Sequence, residues 1–311
     1  MEQLRGDSVL LVDLIDLIDF IELRDIQSGE SQRLFHGRGQ AYSGFEGINI
    51  DWYPPVILIS VYDSGYDQWL EKVVDWLMKE IPECQSVLLQ YRFRKGRSFE
   101  LLRGNSLSTL VAVEHGLLFK IELGRHQNSG LFLDMRNGRD WVRNNSLNKK
   151  VLNLFAYTCA FSVAALAGGA DQVVNFDTSK TALAKGRTNH RLNQQNTQQV
   201  IFEGVDIFKS FSRVKKHGPY DLLICDPPSY QKGSVDIKRD YQKIVRRIPL
   251  FMKKNSLLLL CLNSPELGDD FLTELVSKQC PACQFVTKIN PPVVFKEAIP
   301  GCGLKVHVYR F

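Results

Sequence analysis

The chain has 311 residues, 44% hydrophobic and 23% charged, with a formal net charge of +5. That length exceeds one small domain and falls short of three, so a large catalytic domain with a smaller companion is expected. No apolar run is long enough to cross a bilayer, and Met1 to Asp7 do not open a signal peptide, so the reading is a cytoplasmic protein without membrane association.

In chain order, Ser8 to Arg24 reads as a helix capped by Asp7 or Ser8. Its acids (Asp13, Asp16, Asp19, Glu22) drift around the axis, which leaves apolar surface for the body of the protein or for a partner, a homodimer being one such arrangement. From Ser28 to Ser108, strand-like runs Val56–Val61 and Ser86–Tyr91 flank a helix-like run Tyr66–Glu80, a small α/β unit with a boundary near residue 110. Arg92-Phe-Arg-Lys-Gly-Arg97 is basic with aromatics interleaved, a pattern suited to a polyanion, although a charge run taken alone is more often a solvated surface.

From residue 111 to 311 a second domain is expected. Leu118–Glu122 and Gly130–Asp134 read as a hairpin, followed by a helix and its exit over Arg139–Lys150. Strands then follow at Val151–Phe155, Gln172–Phe176, Gln199–Glu203, Asp221–Cys225, Ser256–Leu262, Gln284–Ile289 and Lys305–Phe311. Four intervening segments have helix length: Phe161–Ala167, Ser179–Gln194, Asp236–Phe251 and Glu266–Lys278. The alternation predicts an α/β fold with a mostly parallel seven-stranded sheet, whose ligands bind beyond the carboxyl ends of the strands. Cys280-Pro-Ala-Cys283 lacks a second ligand pair, so no metal is expected, and the irregularly spaced cysteines read as reduced thiols.

Chemistry is then sought at the strand ends. Asp177, at the tip of the second strand, suits a ribose hydroxyl pair, a role compatible with capping the next helix. Asp206 follows the third strand and suits an adenine amino group. Asp226-Pro-Pro-Ser-Tyr230 closes the fourth: Pro227 and Pro228 fix the backbone and direct carbonyls outward, and Tyr230 offers a stacking ring.

These motifs, with Gly130-Leu-Phe-Leu-Asp-Met-Arg136, Leu152-Asn-Leu-Phe-Ala-Tyr-Thr158, Asn189, Asn193 and Leu304-Lys-Val-His-Val308, resemble the bacterial 23S ribosomal RNA large-subunit methyltransferases that modify cytosine C5 or guanine N7. The likeness runs from Val113 to the C-terminus, and more faintly through Arg33-Leu-Phe-His-Gly37 and Gly44 to Tyr53, similar to the family's central domain. It implies a class I, Rossmann-like methyltransferase fold, S-adenosyl-L-methionine as cofactor, and 23S ribosomal RNA or a precursor particle as partner. By resemblance Phe155, Ala156, Tyr157, Thr158, Asp177, Thr178, Ser179, Asp206 and Asp226 line the cofactor pocket, with Asp134 and Arg136 closing over it from the hairpin.

Three departures qualify the likeness. Cys159 stands where the family commonly has glycine; a negative φ is expected there, and with it weaker cofactor binding or a non-catalytic relative. The segment before Ser28 is too short for the family's PUA domain, so RNA recognition is expected from residues 1–110 and from the catalytic face. Asn263, not a cysteine, falls at the position of the C5 nucleophile, with Cys261 two residues earlier in an apolar run. The reading is therefore transfer to a base nitrogen, with Asp226, Pro227, Tyr230 and Asn263 catalytic. Cytosine C5 through Cys261 is the alternative, and a protein-glutamine or small-molecule methyltransferase is more distant. Arg239, Lys243, Arg246 and Arg247 share a helix face near the substrate entrance and suit RNA phosphates, although a solvated face is as good a reading.

Overall fold

The structure is a computed structural model. It describes residues 17–23, 26–94, 98–105, 109–228, 230–231 and 235–311, without the side chains of Gln27, Asp67 to Trp69, Tyr230, Gln231 and Val235. The chain forms two compact units, one running through Leu133 and taking in Val293–Ile299, the other comprising Asp134–Pro292 and Pro300–Phe311.

In the first unit a five-stranded sheet has strands in sequence order: β1 (Gln32–His36), β2 (Ile48–Tyr53), β3 (Val56–Val61), β4 (Ser86–Tyr91) and β5 (Phe99–Gly104). All neighbours are antiparallel except β3 and β4, which α1 (Asp67–Glu80) connects as a parallel crossover. Leu70, Val73, Val74 and Leu77 of α1 pack on Ile48, Ile50, Trp52, Ile57, Ile59, Val87 and Leu89, the period-3.6 stripe of the helix meeting the period-2 face of the sheet. Of the helix expected over Ser8–Arg24, residues 17–20 are helical, residues 21–23 are not, and the remainder lies outside the described residues. Leu17 and Ile21 are buried in this same core. The unit continues past the expected boundary near 110 because β6 (Thr109–Glu114) and β7 (Leu117–Glu122) form a hairpin tied back to it, the Ser31 amide donating to the Val113 carbonyl at 2.8 Å.

The second unit carries the seven-stranded sheet: β8 (Lys150–Leu154), β9 (Gln172–Phe176), β10 (Val200–Glu203), β11 (Tyr220–Cys225), β14 (Met252–Asn263), β15 (Gln284–Lys288) and β16 (Leu304–Arg310). The order is β10-β9-β8-β11-β14-β16-β15, and only β16 runs against the others. A two-residue ribbon of β12 (Tyr230–Gln231) and β13 (Val235–Asp236) lies between. Helices α2 (Arg136–Asn144), α3 (Ala160–Ala167), α4 (Lys180–Leu192), α5 (Phe211–His217), α6 (Ile237–Val245), α7 (Ile248–Phe251) and α8 (Asp270–Gln279) complete the layers. Leu258, Leu260 and Leu262 of β14 enter one apolar cluster and Leu257, Leu259 and Cys261 the other, so the strand is covered on both faces, as a continuous apolar run requires. Strand order reverses between β8 and β11, and that reversal opens the crevice in which sheets of this kind hold ligands.

Three expectations are corrected. Gly130–Asp134 is not a strand: Leu131, Leu133 and Met135 are buried in alternation, which imitates one, but the segment passes through a 3-10 turn (Leu133–Met135) straight into α2, so Asp134 and Arg136 sit at a helix start and not on a hairpin. The helix expected over Asp236–Phe251 is two, because Pro249 lacks the N–H that a continuing helix needs and starts α7 instead. Helix α5 has no counterpart in the sequence reading. Among the described residues no helix is long and apolar enough to cross a membrane.

Candidate active site

The turn after β8 carries the most constrained backbone of the second unit. Phe155, Tyr157 and Cys159 take φ of 58°, 47° and 61°, three left-handed non-glycine residues in alternate positions. Such conformations cost about 1 kcal/mol or more each and persist only where neighbours enforce them. The neighbours are identifiable. Asp177, beyond β9, accepts from the Tyr157 amide at 2.8 Å and from the Ser179 amide at 2.7 Å. The Asn189 amide of α4 donates to the Thr158 carbonyl at 2.9 Å. The Ala156 amide reaches the Phe176 carbonyl at 3.0 Å.

Cys159 corrects the sequence reading: it adopts the positive φ that was expected to be closed to it. Its side chain is fully buried, and Gly186 of α4 makes the room, since a Cβ there would lie 2.5 Å from the Cys159 sulfur. A loop conformation open to glycine is here built by cysteine opposite glycine, which removes the reason for reading the chain as a non-catalytic relative.

The strand-end carboxylates stand as the sequence places them. Asp177 has lone pairs beyond the two amides it holds. Ser179, not Asp177, is the N-cap of α4, accepting from the Ala182 amide at 3.1 Å, and Thr178 is exposed. Asp206 caps the turn Ile207–Lys209 through the Phe208 amide at 2.8 Å. Phe155 faces Phe208 at 6.1 Å between ring centroids. Ala156 and Thr158 are buried, so the loop offers ligands its backbone and the half-buried Phe155 and Tyr157.

At the tip of β11, burial and the neighbouring Asp134 push the Asp226 carboxyl up to about 7, with Arg139 of α2 pulling the other way. Arg139 is 3% exposed and escaped sequence reading, which placed function on Arg136. Pro227 is buried beside Asp226. Ser229 lies outside the described residues, as does the ring of Tyr230.

Asn263 is the last residue of β14 and is exposed. Cys261 lies in the apolar cluster of Val151, Leu222, Ile224, Leu259 and Val306, and burial together with the nearby carboxyl of Asp226 raises its thiol far above the ordinary range. Beyond Asn263 the chain is held by Lys305, a fully buried lysine whose Nζ donates to the carbonyls of Ser264 and Leu267, each at 2.6 Å.

The basic helix face is partly spent inside the protein. Asp240, 2% exposed, binds Arg239 through two hydrogen bonds of 2.9 Å and Lys243 at 2.7 Å, and these partners hold its carboxyl well below the usual range. Arg247 stacks on Phe211 at 4.2 Å, while Arg246 is exposed.

A buried polar chain behind the loop was also missed. The Asn153 amide donates to Asn175 at 2.8 Å, Asn175 to Ser162 at 3.0 Å, and Ser162 meets His190 Nε2 at 2.9 Å, while His190 Nδ1 meets Gln195 at 2.6 Å. Burial lowers His190 to about 4, so the ring is neutral near pH 7 and ties β8, β9, α3 and α4 together. The cysteines of Cys280-Pro-Ala-Cys283 point into the core, their sulfurs 3.2 Å apart.

The donor set fits an adenosine-type cofactor bearing a positive charge: a turn with its backbone held open, acids at three successive strand tips, and a fourth acid at Asp134. Over residues 32–310 the sequence matches the family described as S-adenosylmethionine-dependent methyltransferase. It is 28% identical over 258 residues to ribosomal RNA large subunit methyltransferase I of Escherichia coli K12, covering 80% of this chain and 64% of that one. To the protein of the same name from Serratia proteamaculans it is 31% identical over 208 residues, covering 65% and 52%. The chain thus spans less than two thirds of these relatives. A candidate methyltransferase of this cofactor class from Streptococcus mutans superposes with a TM-score of 0.84 at 24% identity, covering 96% of this chain and 81% of that one. A second structure, complexed with SAH, gives 0.83 at 24%, covering 96% and 82%.

Proposed function

The chain belongs to the S-adenosylmethionine-dependent methyltransferase family, and from that membership we propose that it methylates a base of large-subunit ribosomal RNA, free or in a precursor particle, at a ring nitrogen of the guanine N7 kind. The names of its relatives, ribosomal RNA large subunit methyltransferases, support the choice of substrate.

When bound, S-adenosylmethionine supplies a methyl group on a positively charged sulfonium. Asp177, with the Phe155 to Thr158 backbone, would hold the ribose, and Asp206 the adenine edge. Asp134 and the ionised Asp226 provide the negative charge that such a cation needs. The Asp226-Pro227-Pro228 backbone and the Asn263 amide would orient the base edge, the stacking role being assigned to Tyr230.

The observation that carries the choice of atom is the pairing of an exposed Asn263 at the tip of β14 with a Cys261 sealed in the core. Attack on cytosine C6 needs a thiolate in contact with the base, and burial disfavours that form of Cys261. A ring nitrogen presents its own lone pair in the base plane and needs no covalent activation. The work left to the protein is orientation and exclusion of water.

Cys261→Ala tests this. With ribosomal RNA and methyl-labelled cofactor, and a thermal melt to establish folding, the variant is expected to transfer label at close to the unsubstituted rate. Loss of transfer in a folded, cofactor-binding variant would assign the reaction to carbon.

A further inference from the structure

The basic, aromatic-rich segment after β4 takes no part in the site above. In the first unit it meets two other segments. Because β1 and β3 both pair antiparallel with β2, and β4 runs parallel to β3, the carboxyl ends of β1, β3 and β4 share one edge of the sheet. Arg38 follows β1, Tyr62 follows β3 and Arg92 follows β4. The Arg38 guanidinium lies 4.5 Å from the centroid of the Tyr62 ring and that of Arg92 5.4 Å from it. Alongside, Arg94 lies 3.6 Å from the Tyr91 centroid and 5.5 Å from that of Phe93, the two rings meeting edge-on at 87°.

Backbone bonds fix these positions. The Arg92 amide donates to the Val61 carbonyl at 2.7 Å, the Tyr62 amide to Gly47 at 2.8 Å, and the Arg92 guanidinium to the Gln127 carbonyl. Acids in the vicinity are engaged elsewhere: Glu100 accepts from the Tyr91 hydroxyl at 2.9 Å, and Asp63 bonds the Tyr66 hydroxyl. Arg38 and Arg94 are exposed and form no ion pair among the described residues, and Phe93 is 41% exposed.

We propose that this edge of the first unit, Arg38, Tyr62, Arg92, Phe93 and Arg94, is a docking surface for single-stranded RNA. The assignment rests on the RNA reading given above. A guanidinium lying on a ring is held by its face, which leaves its N–H edge for phosphate oxygens, and an exposed phenyl beside it can stack a base. Two chain segments supplying arginines and a third supplying the Tyr62 ring meet at the ends of β1, β3 and β4 and make a platform for a strand of alternating phosphates and bases, in a chain with a net charge of +5.

The test measures binding of a short fluorescein-labelled single-stranded RNA of mixed sequence to the whole chain across a salt series, with S-adenosylmethionine binding followed by calorimetry. The double variant Arg38→Ala/Arg94→Ala is expected to bind RNA about tenfold or more weakly, with the salt slope reduced by about 1.4, two phosphate contacts at roughly 0.7 each. Its cofactor affinity is expected to be unchanged. Arg38→Lys/Arg94→Lys retains charge without the stacked plane, so the slope is kept while part of the affinity is lost. Unchanged affinity and slope in the alanine variant would overturn the docking surface and leave the RNA reading intact. An unsubstituted protein that binds cofactor but no RNA would overturn both.

Discussion

Cys159 holds a backbone conformation, φ 61° and ψ 30°, that a glycine takes at no steric cost, and its sulfur fills the space that the missing side chain of Gly186 leaves open. The pair gives a prediction whose sign depends on background. Gly186→Ala alone forces a Cβ to within 2.5 Å of sulfur, an overpacking expected to cost about 1–3 kcal/mol. In a Cys159→Gly chain the same substitution meets little and gains helix propensity of up to about 1 kcal/mol, so it becomes neutral or stabilising; denaturant melts of the four chains measure the coupling. A cost equal in both backgrounds would contradict the packing described. Asp226 carries the second residue-scale prediction. Its carboxyl is raised from 3.8 to about 7, so across that window the folded protein keeps a proton that the unfolded chain has released, and stability without cofactor falls as pH rises. The ionised form suits a cationic ligand, so cofactor affinity is expected to rise about tenfold from pH 6 to pH 8, and Asp226→Asn to flatten that rise in calorimetric titrations. Asp177, Asp206 and Asp226 were legible because a carboxylate at a strand tip is a one-residue signal. The inward arginine Arg139 and the His190 chain were not, since a polar residue gives no sign in sequence of being buried.

Elements were legible where their apolar period is strong and their neighbours supply the pairing. β3, β4 and β9 fall where the sequence places them, and β14 is longer than expected because its first residues, Met252 to Asn255, are polar enough to read as a loop. Alternation misled at Gly130–Asp134, where the buried Leu131 and Leu133 lead into a 3-10 turn, and uninterrupted helical pattern misled at Pro249. The chain after β14 is an element whose support lies far away in sequence: Lys305 on β16 bonds the carbonyls of Ser264 and Leu267. Lys305→Met removes both bonds at an expected cost of about 1–3 kcal/mol, and frees the segment that follows Asn263. Cofactor affinity close to the unsubstituted value with a raised KM for RNA is expected; equal losses in both would show the lysine to be a general core element rather than a support for the substrate side. On α6, the sequence shows four cations on one face but not that Asp240, buried beneath them, engages Arg239 and Lys243.

At the scale of the molecule, the alternation of strands and helices from Val151 onward carried the mostly parallel seven-stranded sheet, though not the order of its strands. The first unit's extent was not readable, because it is completed by Val293–Ile299, a segment that leaves the second unit between β15 and β16. There Ala298 donates to the Gly39 carbonyl at 2.7 Å, and Phe295 lies under Arg33 at 4.8 Å. No local period marks a return of this kind. Non-local assembly likewise produces the arginine and aromatic edge of the first unit, of which only Arg92, Phe93 and Arg94 are neighbours in sequence. The reaction proposed for the whole chain is open to nucleoside analysis. Unmodified large-subunit ribosomal RNA is incubated with the purified protein and S-adenosylmethionine, digested, and its nucleosides identified by mass spectrometry. A new methyl group on a purine ring nitrogen is expected, 7-methylguanosine above all; 5-methylcytidine, or RNA left unmethylated by a protein that binds the cofactor, would refute transfer to a base nitrogen.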